Sequence, residues 1–145
     1  MNQYRELRER QQDEVNAFPL GFAFGDKQFR EMMSKWELDP EKDLDKISRI
    51  PVSGGFIQKK DIPAFKDLMK RHDDELQAAI DGDSDGTGFI YQMFRYELDN
   101  HEYGYTGDVE DTLDALGLTA EDIETDSRLR AGLKKACREI MRRES

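Results

Sequence analysis

Apolar residues recur at spacings of three and four along most of the chain, the pattern of helices that bury one stripe and wet the rest. Tyr4, Leu7, Gln11, Val15 and Phe18 share such a stripe, which predicts a first helix from Asn2 to Asn16. The period then changes. In AFPLGFAFG, residues 17–25, Phe18, Leu20, Phe22 and Phe24 alternate with small or turn-forming residues, so an extended segment lying across the core is expected. A second helix opens with Asp26 as its cap and carries Phe29, Met32, Met33 and Trp36 until LDPEKD breaks it.

IPV and FIQ flank Ser53-Gly54-Gly55, and glycine's tolerance of positive φ predicts a small β-hairpin there, marginal by itself. Asp61 is expected to cap a long helix with Pro63 in its first turn and a stripe of Ile62, Phe65, Leu68, Met69, Leu76 and Ile80. The loop DGDSDGTG ends it. From Gly88 to Tyr103 the chain is apolar around most of a helical circumference, with Gln92, Arg95 and Asp99 as the polar ridge, so this helix should be central. A shorter helix starts at Gly107-Asp108 and runs through Ala115, Thr119 with Asp122 reads as a capping box, and a last helix from about Ser127 buries Leu129, Leu133, Ala136, Cys137 and Ile140. The fold class is mainly α: a single compact helical domain over residues 1–145, with about five or six helices and a small β-hairpin or extended segment.

Composition narrows the class. With 145 residues, 37% hydrophobic and 37% charged, one domain with a modest core is expected. No apolar run approaches the roughly 20 residues of a membrane span, and MNQYRELRERQQDE is charged where a signal peptide is greasy, so a soluble cytoplasmic protein is expected. The one cysteine, Cys137, excludes an internal disulfide and a multi-cysteine zinc site. The net charge of −10 is unevenly spread: His72 to Asp126 holds 17 acids against Arg95 alone, whereas the remainder holds 15 acids against 21 bases. Such a field repels phosphate and attracts basic surfaces, although solvated helix faces would have the same composition. The basic, amphipathic C-terminus offers an internal counter-charge.

Three constellations are candidates for chemistry. Asp81, Asp83 and Asp85, followed by Gly86, reproduce the first half of an EF-hand loop, but position 8 is Gly88 and the closing Glu of position 12 is Gln92, so calcium binding should be weak at most. An acidic turn is the simpler reading. His72, Glu97 and His101 are each predicted to point inward, where they would form either satisfied core hydrogen bonds or the base and ligands of a metal site in a small metal-dependent enzyme. No phosphate loop, nucleophile elbow or second zinc-helix histidine accompanies them, and Cys137 sits on an apolar stripe, so no catalytic residue is assigned. Third, Asp108, Asp111 and Asp114 recur every three residues with Glu110 beside them, advancing about 4.5 Å per step on a helix, a spacing close to that of phosphates on a strand. With Asp99, Glu102, Glu121, Asp122 and Glu124 they form a candidate ladder for a protein that normally grips nucleic acid.

NAFPLGFAFGDKQF and GFIYQMFRYELDNHEYGYTGDVEDTLDALGL resemble an uncharacterised family of small acidic proteins from bacterial phages and mobile elements, the likeness extending over most of the chain. That resemblance carries over no catalytic residues, and DGDSDG is not part of it. It implies a setting in which small acidic proteins inhibit host nucleases such as restriction enzymes and CRISPR effectors. The function expected is therefore a non-enzymatic inhibitor whose partner is the basic surface of a nucleic-acid-binding protein. Metal binding at residues 81–92 or at His72, Glu97 and His101 is the alternative.

Overall fold

A computed structural model of the chain describes residues 2–50 and 54–144. In chain order the elements are α1 (Gln3–Ala17), β1 (Leu20–Phe22), α2 (Asp26–Lys35), β2 (Ile47–Ile50), β3 (Gly55–Gln58), α3 (Ile62–Asp81), α4 (Phe89–Asn100), α5 (Tyr103–Thr106), α6 (Glu110–Ala115), α7 (Ala120–Thr125) and α8 (Ser127–Glu144), with 3₁₀ turns at Leu44–Lys46 and Lys59–Asp61. The fold is thus mainly α with a small antiparallel sheet. Its contacts gather into two compact units, Met1–Arg10 with Asp74–Ser145 and Gln11–Asp73. No helix among the described residues is long and apolar enough to cross a membrane.

The first unit is organised by α4, as its near-continuous apolar circumference predicts. Ile90, Met93, Phe94 and Leu98 are buried on it, and α8 packs along it through Leu129, Ala136 and Ile140. Burying each large side chain contributes about 1.5–3 kcal/mol, so this contact dominates the unit. Tyr4 of α1 joins the same core, its ring in edge contact with Phe89 and its hydroxyl accepting a hydrogen bond from Arg8 Nε. Helix α4 stops at Asn100, three residues earlier than its pattern suggests, because His101 leaves the helix and Glu102 adopts a left-handed conformation with φ 58°. Helices α6 and α7 have six residues each, too short to persist without packing and caps. The capping box predicted at Thr119 and Asp122 is present in both directions.

In the second unit, β3 is the middle strand between β1 and β2, both antiparallel to it, with Leu20 opposite Ile57 and Ile47 opposite Gln58. The FIQ strand predicted for the hairpin lies in β3, whereas of IPV only Ile50 is seen, as the last residue of a β2 that starts at Ile47, and residues 51–53 lie outside the described residues. The segment at Leu20–Phe22 is extended as expected, but it is Gly21 rather than a ring that packs on Met32 and Trp36. A Cβ at Gly21 would overlap the Met32 sulfur and lie 2.8 Å from Trp36, so the glycine side of β1 meets the helix. Alternation then turns Phe22 outward, and it is 54% exposed, with Phe24 beyond it at 79%. Met32, Met33 and Ile47 form the core of this unit, with Phe29, Trp36 and Phe56 packed around them. The start of α2 also differs from the expectation, since Gly25 occupies the cap position while Asp26 lies inside the first turn and pairs with Arg30 at 3.0 Å.

Candidate protein-binding face

All eight predicted partner-binding acids fall in the first unit. Between Arg95 and Arg128 the sequence has no Lys or Arg, and it builds α5, α6 and α7 from this stretch. Asp99, Glu102, Asp108, Glu110, Asp111, Asp114 and Glu121 are exposed, whereas Asp122 is half-buried.

Several of these carboxylates have structural duties. Asp99 holds Arg95 at 2.9 Å through one oxygen and Arg143 at 3.0 Å through the other, so a C-terminal arginine supplies the counter-charge that the basic tail offered. Asp122 completes the α7 capping box. Glu110 and Asp111 lie in the first turn of α6, and Glu121 and Asp122 in that of α7, where an anion interacts favourably with the helix dipole. Asp108 is not on the helix at all: it precedes Val109, the α6 cap, and its carboxylate accepts the Glu110 N–H at 2.9 Å. The ladder expected over Asp108, Asp111 and Asp114 therefore has two rungs on α6 and a third in the turn before it. The reason is local, because an aspartate's short side chain bonds the backbone two residues on and favours a turn over a first helical residue.

Sequence reasoning overlooked Tyr105. It is 92% exposed, and together with Asp99, Glu102, Gly104 and Arg143 it lines an open hollow of about 470 Å³. An exposed aromatic beside carboxylates is well suited to a Lys or Arg side chain, which the ring attracts through its quadrupole. Thr112 was also missed. It is fully buried on a short acidic helix, and its hydroxyl donates to the Glu97 carbonyl at 3.4 Å, tying α6 to α4.

The other candidate residues separate. Asp83 is buried, and its carboxylate accepts the backbone N–H groups of Gly86 at 3.1 Å, Gly88 at 3.0 Å and Ile90 at 2.9 Å. It thereby satisfies the orphan donors at the start of α4. Asp81 accepts from Gln77, and Asp85 accepts from the Thr87 hydroxyl and N–H, which hold its carboxyl below the usual range. Gln92, at the closing position of the loop, instead accepts the Gln3 N–H at 2.6 Å, and its carbonyl accepts Asn2 Nδ2. Both Asp83 oxygens and the Gln92 side-chain oxygen are thus committed to backbone donors.

Glu97 lies on α4 and His101 is the residue that caps its end, and the His101 Nδ1 lies 2.8 Å from the Glu97 carbonyl oxygen and 4.0 Å from its carboxylate. His72 belongs to the other unit. It is buried, its carbonyl accepts Gln11 Nε2 at 3.0 Å, and its Nε2 lies 3.5 Å from Glu14, which also pairs with Arg71. Cys137 is half-buried, and burial pushes its thiol up, while its hydrogen bond with the Tyr103 hydroxyl, reinforced by burial, raises that phenol to about 12. With little thiolate at neutral pH, Cys137 should react with a disulfide reagent about tenfold more slowly than free cysteine. Ellman kinetics on the native protein measures this, and a rate equal to that of free cysteine would contradict it.

No curated protein and no solved structure matches the chain. One family does match, over residues 3–139, which covers nearly all of both units together with the whole acidic stretch. The chain belongs to this family, DUF7659, a family of unknown function.

Proposed function

We propose that the protein is a non-enzymatic inhibitor from a phage or mobile element, acting in the bacterial cytoplasm, whose acidic face occupies the nucleic-acid groove of a host defence nuclease. The observation that carries this reading is the charge division between the units: the first holds 20 acids and 11 bases, a net −9, while the second holds 12 and 11, nearly neutral. Within the first unit, the short helices α6 and α7 carry Glu110, Asp111, Asp114, Glu121, Asp122 and Glu124 and no base, and α5 before them carries the exposed Tyr105. Lys and Arg that normally hold phosphates would pair with Asp108, Glu110, Asp111 and Asp114, while Tyr105 and Glu102 take a further cation in the hollow beside Asp99. DNA mimicry of the anti-CRISPR or antirestriction kind is this mechanism stated in functional terms. The metal alternative draws less support, because Asp83 and Gln92 spend their oxygens on backbone donors.

The test is a pull-down from a host lysate with the purified chain as bait, compared with the variant Asp108→Lys, Asp111→Lys, Asp114→Lys. A nucleic-acid-binding enzyme should be retained at low salt, released as ionic strength rises, and lost with the triple variant, because exposed charge pairs are screened over about 10 Å at 0.1 M salt. Asp108→Asn keeps a cap on the turn and should retain the partner, which separates lost charge from lost structure. A partner bound equally by the triple variant and the parent would rule out mimicry through this face.

A further inference from the structure

We infer that His72 and Glu14, with Glu75 one turn further along α3, form a binding site for a divalent metal of the zinc class. His72 is the anchor. Its side chain is 7% exposed, and its Nε2 is the one buried side-chain nitrogen or oxygen among the described residues that has no hydrogen-bond partner. A polar atom orphaned in this way is costly, so it calls for a ligand or a reason. Glu14 Oε1 lies 3.5 Å from that nitrogen. This is long for an N–H···O bond, yet it matches the separation of two ligands across a tetrahedral zinc, about 3.4 Å for bonds of roughly 2.1 Å. Gln11, itself buried one turn before Glu14 on α1, donates from Nε2 to the His72 carbonyl at 3.0 Å and so fastens α1 to this turn of α3. Glu75 follows His72 at i+3, where an unbroken helix from Ile62 to Asp81 puts both side chains on one face, and their ligand atoms lie within 4.8 Å.

The donor set selects the metal. One imidazole nitrogen with two carboxylates suits zinc, which accepts both donor types and needs four ligands, whereas calcium takes about six to eight oxygens. Three protein ligands leave the fourth position to water. Arg71 pairs with Glu14, and Arg10 pairs with Glu75 at 3.0 Å. Ligating carboxylates are ordinarily held by such outer partners, which orient them. The same two arginines offset the two negative charges, so the imidazole nitrogen decides affinity and a hard cation gains little. The site uses neither the loop at residues 81–92 nor Glu97 and His101, and it is independent of the inhibitor reading, whose acids it does not include.

The experiment is a titration of the chelator-stripped full chain with zinc chloride, followed by calorimetry and by the ring-nitrogen NMR signals of its two histidines. One equivalent of zinc should shift the His72 signals and leave those of His101 in place. Glu14→Gln and Glu75→Gln should each bind zinc at least about tenfold more weakly. The variant Asp108→Lys, Asp111→Lys, Asp114→Lys should bind it as the parent does, which keeps this site apart from the acidic face. A plain ion pair between protonated His72 and Glu14 gives no zinc response, so an unmoved His72 overturns the inference. A shift at His101 in place of His72, or an affinity unchanged in both glutamine variants, overturns it as well. The histidine signals of the parent chain decide the matter even where a glutamine variant fails to fold.

Discussion

Gly86→Ala is expected to unfold the α4 and α8 unit or to lower its unfolding free energy by at least about 3 kcal/mol. Two costs combine at this residue. Its φ is +86°, a region L side chains rarely adopt, and a Cβ there would overlap the backbone carbonyl of Arg128 in the first turn of α8. Backbone on both sides leaves nothing flexible to yield. Arg128 itself reaches back to the Ile80 and Asp83 carbonyls at 3.2 Å each, so the loop and the helix end are fastened where the alanine would force them apart. Gly132, one turn along α8, receives the Gly86 carbonyl at 2.6 Å and Ile90 Cγ2 at 2.7 Å from its ideal Cβ position. Gly132→Ala should cost less, about 1–3 kcal/mol, because it meets overpacking without a positive φ. Urea unfolding followed by circular dichroism measures both; a Gly86→Ala loss below about 1 kcal/mol would mean that the loop does not seat on α8 as described.

Asp83→Ala should cost about 3 kcal/mol, since three buried or half-buried N–H groups lose an ionised acceptor and α4 loses its cap. Asp83→Asn retains one carbonyl acceptor and should cost about half as much. Asp81→Asn and Asp85→Asn, at exposed positions, should stay within about 1 kcal/mol. This ranking distinguishes a cap from a cation site, where the three aspartates would act together and calcium would raise the melting temperature. Calcium titration of the parent chain should show no affinity in the roughly 10⁻⁷–10⁻⁵ M range of sensor loops. Micromolar affinity, lost in Asp81→Asn and Asp83→Asn, would promote the loop to a calcium switch.

The apolar stripes of α1, α3, α4 and α8 were legible in the sequence because each helix is long enough for a 3.6-residue period to repeat several times, and Phe94 and Leu98 are fully buried where that period puts them. The Thr119 box was legible because both of its bonds span three residues. The acidic character of the candidate face could likewise be counted directly, since charge is additive along a chain. Which carboxylates remain available to a partner could not be counted. Asp83 and Asp81 are two residues apart and chemically identical, yet one is buried under three N–H groups and the other exposed, a difference made by the Arg128 and Gly132 turns of α8 some 45 residues later. The direction of β1 was undetermined for the same reason. Alternation specifies two faces but not which one is covered, and only the close approach of Met32 and Trp36 to Gly21 turns Phe22 outward. Period, caps and net charge are local sums over neighbouring residues, and the sequence by itself determined them. Register, the reach of Arg143 to Asp99 and the meeting of Glu14 with His72 depend on residues far apart in the chain, so only tertiary packing decided them.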